Sequence, residues 1–501
     1  ESLAGGLEEA ELLQELGRNT EAVEAYRRVL NDAGVPDAFR NPWLRLEELQ
    51  RRTYEALTRY KLAGDYAHAA QLAEVLAPIH PRDRALELSA ELLETWGRKQ
   101  LAGAAEHFDS EAAALREEAR RHLRSAGAAF EQLAQLRYTS REYPQYLWRA
   151  SENFQSGQDY RAARTALNAY MLEEPIKRNS ESQLRRGQIE LAIGNLEAAL
   201  RPLQSCLELY PKHPTVYEAR LLQGIVLAEL GRFEEARKSL EANLTDDALT
   251  PQSRERRDSL FALGDLLFRV GTQYEAEGGI AAGGDPSRLD PQLSLPSLEK
   301  SEAAYEQGLL QLEEAVLRYP EAPQTLEALY TIAESRRRSA RYPRLRLQTV
   351  AIETTRRTLR REIDERLGVA LGEYEQLQRR LQQKQEQQPL SEIERTVLRN
   401  ARFGYAHTLF DLERYDDAIN AYLAVTNHYH QEPEALEAFM QIASCYRRSD
   451  RPAEARGFLL RARVVLSRIH EEADFTKTTR FTRDEWLSML DSMIGPGGEG
   501  A

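Results

Sequence analysis

Two segments of this chain, GQIELAIGNLEAALRPLQSCLELYP at residues 187–211 and GIVLAELGRFEEARKSL at residues 224–240, follow one design. Gly187 and Gly224 are separated by 37 residues, and so are Gly194 and Gly231 (224 − 187 and 231 − 194). Each copy holds two helical stretches with glycine or alanine at fixed places. A period of this size is typical of helix–turn–helix solenoids, in which stacked helix pairs bury a continuous core. The repeat therefore predicts an all-α solenoid of stacked antiparallel helix pairs.

The composition agrees with a helical repeat protein. Good helix formers (Ala, Leu, Glu, Arg and Gln) dominate the 501 residues, and alternating strand patterns with hairpin turns are missing. A net charge of −13 argues against nonspecific nucleic-acid binding as the main role. No run reaches the roughly 18 apolar residues of a membrane helix. The two cysteines, Cys206 and Cys445, fall on apolar helical positions and are expected to be buried and inert.

Recurrence of the pattern predicts five regions. Residues 1–143 form N-terminal repeats that include a longer, irregular helix pair, and residues 144–250 form the regular central repeats. Residues 251–390 diverge, with a loop inserted at 276–296, a partner helix that resumes at Ser297, and one long Arg-rich helix at 344–388. In that helix Ile363, Leu367, Ala370, Tyr374, Leu377 and Leu381 form a heptad stripe that should pack along a partner helix. A C-terminal repeat pair covers 391–473, and the tail 474–501 holds a short helix around Trp486–Met493, with 495–501 expected to be disordered.

The repeats resemble the tetratricopeptide repeat family. The resemblance rests on small residues that let the helices of a pair approach, on larger residues that fill the gap to the next pair, and on a proline after the second helix. The small residues are Gly187, Gly224, Ala406 and Ala443 on first helices, with Ala199, Ala236, Ala418 and Ala455 on second helices. The larger residues are Leu203, Leu240, Tyr422 and Leu459. The prolines are Pro81, Pro175, Pro211 and Pro320. The resemblance implies a right-handed superhelix whose first helices line a concave groove for a peptide or partner helix. The same resemblance extends to bacterial envelope proteins that are built from such repeats.

That geometry places one set of side chains in the groove. They are Trp148, Glu152, Gln188 and Ile225 in the central repeats, and Phe403, His407, Phe410, Met440, Ser444 and Arg447 in the C-terminal pair. Aromatic, Met and Arg side chains are enriched at binding hot spots. The alternative is that residues such as Trp148 and Phe410 pack against a neighbouring repeat. A clamp for a C-terminal carboxylate is not expected, because Trp148, Glu152 and Glu218 stand where basic or amide groups would be needed.

A second candidate surface is basic. Arginine dominates residues 336–361, where Glu353 is the single acid, and the candidate anion-binding residues are Arg336, Arg337, Arg338, Arg356, Arg357, Arg360 and Arg361. Arginine favours bidentate contacts with phosphate and carboxylate groups. The alternative is a solvated helix face whose arginines pair with acids of the adjoining repeat.

The sequence shows no catalytic, metal or cofactor motif. The glycines of 278–284 follow a helix and lack the Lys-Ser/Thr of a phosphate-binding loop, and His428 and His430 point to different sides of a helix. These observations predict a non-enzymatic scaffold that binds a protein partner in its groove. The alternatives are a binder of nucleic acid, phosphoprotein or membrane surface through Arg336–Arg361, and an accessory subunit of an enzyme or envelope-assembly complex. The compartment stays open, with a periplasmic or envelope-associated location slightly favoured because the chain begins at Glu1 rather than Met.

Overall fold

The structure is a computed structural model that describes residues 2–34, 36–104, 110–173, 179–280, 289–470, 473–479 and 481–494. Over these residues the secondary structure is α-helical with a few short 3₁₀ turns and no strands, which confirms the predicted all-α solenoid class. The chain divides into two compact units, residues 1–230 and 231–501. None of the described helices combines the length and apolar content needed to cross a bilayer.

The first unit is built from helix pairs. Its helices are α1 (Ser2–Glu15), α2 (Asn19–Ala33), α3 (Leu46–Ala63), α4 (Tyr66–Leu76), α5 (Arg82–Ala104), α6 (Ser110–Leu136), α7 (Tyr143–Ser156), α8 (Tyr160–Glu173), α9 (Ser180–Ile193), α10 (Leu196–Leu209) and α11 (Thr215–Glu229). Each odd-numbered helix from α1 to α9 packs against the helix that follows it. The odd-numbered helices are therefore the first helices of successive repeats.

Local sequence explains the pair α9–α10. The Asn179 side chain accepts the backbone N–H of Ser182 at the start of α9, and Gly194 ends the helix with φ +89°. Gly187 lies where the helices cross, since a Cβ there would stand 2.6 Å from the side chain of Leu203, which is fully buried. The small residue at this place in the repeat is thus required by close helix packing.

The second unit contains the divergent region and the C-terminal repeats. Its helices are α12 (Phe233–Leu244), α13 (Arg254–Glu277), α14 (Pro291–Arg318), α15 (Thr325–Ser339), α16 (Arg341–Thr349), α17 (Glu353–Gln387), α18 (Glu392–Asp411), α19 (Tyr415–His428), α20 (Glu434–Arg448), α21 (Pro452–Arg468) and α22 (Arg483–Ile494). α13 packs on α14, α15 on α17, α18 on α19, and α20 on α21. The predicted tail helix is α22; it packs on α21 and buries Trp486 and Leu490.

Two predicted boundaries in this unit are wrong. The partner helix begins at Pro291, six residues before Ser297, because the Asp290 side chain caps Gln292 N–H and proline is favourable in a first helical turn. The helix predicted to run unbroken over 344–388 is two helices, α16 and α17, interrupted at residues 350–352. Within the predicted loop, residues 281–288 lie outside the described part of the chain, and so do residues 495–501 of the tail.

The heptad stripe of α17 is confirmed as a packing face. All six of its residues are buried, and α17 lies along both α15 and α18. Both cysteines are buried as predicted, and burial raises the pKa of the Cys445 thiol to about 12. A thiol with so high a pKa is a poor nucleophile at neutral pH.

Candidate functional site

In the first unit, Trp148 and Glu152 of α7 meet Arg185 of α9. The Arg185 guanidinium lies 4.0 Å from the centre of the Trp148 ring, and its Nη2 donates to Glu152 Oε1 at 2.7 Å. Trp148 also packs on Tyr170 of α8, with ring centres 5.1 Å apart. Trp148 therefore packs within its own repeat through Tyr170 and, as the alternative states, against the neighbouring repeat through Arg185.

A chain of hydrogen bonds continues this contact across three first helices. Gln155 Nε2 donates to Gln188 Oε1 at 3.2 Å, and Gln188 Nε2 donates to Glu218 Oε1 at 2.8 Å. These residues belong to α7, α9 and α11 in turn. We call this set, from Gln155 through Gln188 to Glu218, the polar ladder. It gives the first-helix side of the repeats a continuous row of amide and carboxylate groups.

A cavity of about 520 Å³ opens beside the ladder. Its described lining comprises Arg98, Glu152, Gln155, Ser156, Tyr160, Arg185, Gln188 and Ala192. Arg98 approaches Glu152 at 3.7 Å and pairs with Glu94 at 2.8 Å, so Glu152 lies between two arginines. The structure thus gathers two predicted groove residues, Glu152 and Gln188, at one polar cavity, with Trp148 against its Arg185. Ile225 of α11 is half-buried and is not among the lining residues.

Sequence reasoning missed Arg98, Gln155 and Arg185. A signal for Arg185 existed, because it precedes Gln188 by three residues and so shares its helix face. Arg98 lies on the irregular pair α5–α6, where the repeat register is hard to read from sequence.

In the second unit the predicted groove residues mainly serve packing. Phe403, Phe410 and Met440 are half-buried against the C-terminal core. His407 Nδ1 lies 2.6 Å from the Phe403 carbonyl oxygen, and burial, aided by the Arg337 charge, lowers the pKa of His407. A neutral imidazole held in this way is a satisfied structural group.

The remaining candidates in this unit are also engaged. Phe410 packs edge-on against Tyr415, with ring centres 5.5 Å apart, and Ser444 Oγ donates to the Met440 carbonyl at 3.0 Å. Arg447 is exposed, and its Nη2 donates to the Met493 carbonyl of α22 at 3.3 Å. These side chains are therefore engaged in packing and in hydrogen bonds to nearby carbonyls.

The arginine-rich stretch divides into an interior part and a surface part. Arg336 pairs with Glu373 at 2.7 Å and also with Glu313, while Arg338 pairs with Glu334 at 2.6 Å and Glu275 at 3.0 Å. Arg337, only 8% exposed, lies between Glu334 and Asp411. We therefore correct the prediction for Arg336, Arg337 and Arg338, because carboxylates of neighbouring helices already neutralise them.

The first turns of α17 carry the surface part. The Arg357 side chain is 75% exposed and contacts Glu353 at 3.2 Å. Arg360 and Arg361 are exposed and have no ion-pair or hydrogen-bond partner among the described residues. Arg356 differs, since its Nη1 donates to the carbonyls of Leu347 and Val350, both at 3.0 Å, and so holds the α16–α17 junction. Of the predicted anion-binding residues, Arg357, Arg360 and Arg361 are those that remain available on the described surface.

Further along α17, one arginine serves three carboxylates. Arg366 contacts Glu302 at 2.6 Å, Glu362 at 2.7 Å and Glu306 at 3.0 Å. Burial raises the pKa of Glu302 to about 7, even though Arg366 opposes the shift. The folded chain therefore binds a proton at Glu302 that the unfolded chain releases at lower pH.

This raised pKa predicts a pH-dependent stability. Between the ordinary pKa of a glutamate and about 7 the folded state holds more protons, so the free energy of unfolding should fall as pH rises, at most by roughly 1 kcal/mol per pH unit. The variant Glu302→Gln should lose this slope and be more stable than the parent above pH 7. Urea unfolding between pH 5 and 8 measures both. An unchanged slope in the variant would show that Glu302 is not the titrating group.

Three stretches of the chain match the family model described as tetratricopeptide repeat, at residues 149–214, 184–253 and 405–467. No curated protein sequence matches the chain. Among solved structures, a human IFIT1 dimer with m7Gppp-AAAA is 11% identical, with a TM-score of 0.38 over 94% of this chain and 85% of that one. A tetratricopeptide repeat protein from Parabacteroides merdae is 13% identical, with a TM-score of 0.33 over 70% of this chain and 97% of that one. Likenesses this distant carry no information about partners.

Proposed function

Because the chain contains tetratricopeptide repeats over residues 149–253 and 405–467, we propose that it is a non-enzymatic scaffold that binds a peptide or helix of a partner protein along the first helices of its repeats. The polar ladder and its cavity carry this proposal. Amide groups both donate and accept hydrogen bonds, so a row of glutamines can match the backbone of an extended peptide. The Trp148–Arg185 contact beside the row supplies a flat, partly apolar surface for a side chain.

Replacing two glutamines of the polar ladder by lysine tests whether the partner binds along the first helices. The double variant Gln155→Lys and Gln188→Lys breaks the ladder and adds two positive charges next to Arg98 and Arg185. We expect partner affinity to fall by about tenfold or more, because lysine cannot accept the hydrogen bonds that a glutamine amide accepts, so polar groups of the partner are left unpaired. Affinity capture with the intact chain, followed by titration of the recovered partner, measures the effect.

A matched control uses two glutamines outside the groove. Gln132 and Gln135 are exposed on α6, a second helix, so Gln132→Lys with Gln135→Lys adds the same charge elsewhere in the first unit. Equal recovery of the partner by both double variants would rule out the groove as its binding surface. Catalytic turnover by the purified chain alone would contradict the non-enzymatic role.

A second candidate function is the binding of an anionic partner by Arg357, Arg360 and Arg361. The observation that favours it is the exposure of three arginines within two helical turns, two of them without a partner in the described structure. Binding of a fluorescent RNA oligonucleotide or a phosphopeptide should weaken steeply with salt and be lost in the triple variant to glutamate. Arg356 is left unchanged because it holds the α16–α17 junction. Binding that survives the triple variant would exclude this surface.

A further inference from the structure

A second cleft lies on another face of the same repeats. It has a volume of about 900 Å³, and its described lining comprises Asn168, Met171 and Leu172 of α8, Gln183 and Arg186 of α9, and Glu197, Ala198, Arg201, Pro202 and Ser205 of α10. We call this cavity the second cleft.

The second cleft and the polar ladder use roughly opposite faces of α9. Each helical residue turns the side chain by about 100°, so Gln183 and Arg186 point well away from Arg185, Gln188 and Ala192. The neighbours Arg185 and Arg186 have correspondingly different surroundings. Arg185 pairs with Glu152 and lies over Trp148, whereas Arg186 has no ion-pair or hydrogen-bond partner for its side chain in the described structure.

The second cleft is lined by two arginines whose charges are not neutralised by carboxylates of the described residues. Arg186 and Arg201 both lack a carboxylate partner among the described residues. Glu197 is the single acid among the described lining residues, and it forms no ion pair with Arg201 within 4 Å in this structure. The cleft therefore carries a net positive charge within a chain of net charge −13.

The floor of the cleft is apolar, with polar groups at its side. Met171 and Pro202 are buried, while Leu172 is 73% exposed. Pro202 lies inside α10 and has no N–H, so the carbonyl of Ala198 loses its usual helical donor. Asn168 and Gln183 have no side-chain hydrogen bonds in the described structure, so their amides are also available.

From these features we propose that the second cleft is a docking site, separate from the groove, for an acidic peptide segment that carries a large apolar side chain next to its carboxylates. The carboxylates pair with Arg186 and Arg201, and the apolar side chain packs against Leu172 and the floor formed by Met171 and Pro202. The side-chain amides of Asn168 and Gln183 bond to the peptide backbone. A basic or purely polar peptide lacks the charge or the anchor that this cleft selects.

The test is an array of octapeptides that combine Glu or Asp with Leu, Ile or Phe at every spacing, probed with the intact chain. The strongest peptide is then titrated by fluorescence anisotropy, alongside a version with Gln or Asn in place of its acids. We expect saturable binding that falls by about tenfold or more in the Arg186→Glu, Arg201→Glu double variant and in the amide peptide. Circular dichroism and the melting temperature should be unchanged, since Arg201 is exposed and neither arginine side chain has an ion-pair or hydrogen-bond partner among the described residues.

Two controls locate the site. The Arg360→Glu, Arg361→Glu variant makes the same change of net charge in the second unit, and the Gln155→Lys, Gln188→Lys variant alters the groove; both should keep their affinity for the peptide. The proposal is overturned if the intact chain selects no acidic–apolar peptide. It is equally overturned if the Arg186/Arg201 and Arg360/Arg361 variants lose affinity to the same extent, which indicates attraction by net charge alone. Loss in the groove variant only assigns the peptide to the groove.

Discussion

Replacing Arg337 by methionine should lower the free energy of unfolding of the second unit by about 3–5 kcal/mol, the usual cost of removing one partner from a buried ion pair. Arg337 Nη2 lies 2.7 Å from Glu334 Oε1, and its Nη1 lies 2.9 Å from Asp411 Oδ2. Tyr374 OH also donates to Glu334 Oε2 at 2.6 Å. The cluster joins α15, α17 and α18, so its loss affects three helices at once.

Electrostatics explains why the effect is large. Burial alone would raise the pKa of Glu334, but Arg337 and Arg338 outweigh it and hold that pKa well below its ordinary value. Glu334 is only 4% exposed, and without Arg337 its carboxylate keeps a single arginine partner, Arg338. A buried charge left short of partners either destabilises the fold or takes up a proton.

The measurement is urea unfolding together with hydrogen exchange of peptides from α15, α17 and α18. Adding Glu334→Gln to the Arg337→Met variant should recover part of the loss, because the unpaired charge is then removed as well. The control is Arg357→Met on the exposed surface, which should change stability by less than about 0.5 kcal/mol. Equal effects of Arg337→Met and Arg357→Met would refute the structural role of the cluster.

The arginine-rich stretch shows what a sequence can and cannot reveal. Its density of positive charge is visible in the sequence, but the acids that neutralise Arg336, Arg337 and Arg338 lie mostly far along the chain. Arg336 meets Glu373 from 37 residues away, Arg337 meets Asp411 from 74, and Arg338 meets Glu275 from 63. Helix-face reasoning reaches only three or four residues, so it cannot separate these interior arginines from the exposed Arg360 and Arg361.

Local sequence signals predicted some helix positions and missed others. The heptad stripe of α17 was predictable because its spacing survives over many turns, whereas the break at 350–352 falls at Val-Ala-Ile, with no proline or glycine to announce it. Asp290 followed by Pro291 indicates the start of α14. The prediction placed the start later because Pro296, which lies inside the helix, suggested a loop. Among the predicted groove residues, the repeat period placed Trp148, Glu152 and Gln188 on the first helices α7 and α9. The contacts that connect Trp148 with Glu152 run through Arg185, which the repeat pattern does not mark.

The second large effect is expected at Gly404, where replacement by alanine should lower stability. The same replacement at Gly368 should raise it. A Cβ at Gly404 would stand 2.4 Å from the ring of Tyr374, which is fully buried and bonded to Glu334. Gly404→Ala should therefore destabilise the second unit by about 2–3 kcal/mol through overpacking, despite alanine's better helix propensity. The displaced ring would also lose its bond to Glu334, so hydrogen exchange should rise in both α15 and α17.

Gly368 in the exposed middle of α17 is the matched control. A Cβ there meets nothing within 4 Å, so Gly368→Ala should gain stability by about 0.5–1 kcal/mol from helix propensity and a less flexible unfolded chain. Thermal unfolding of the two variants gives the sign directly, since one melting temperature should fall and the other rise. A rise for Gly404→Ala would mean that the Tyr374 ring has room to move and that α17 and α18 approach less closely than the structure shows. A fall for Gly368→Ala would mean that this face of α17 is covered by a partner that needs the glycine.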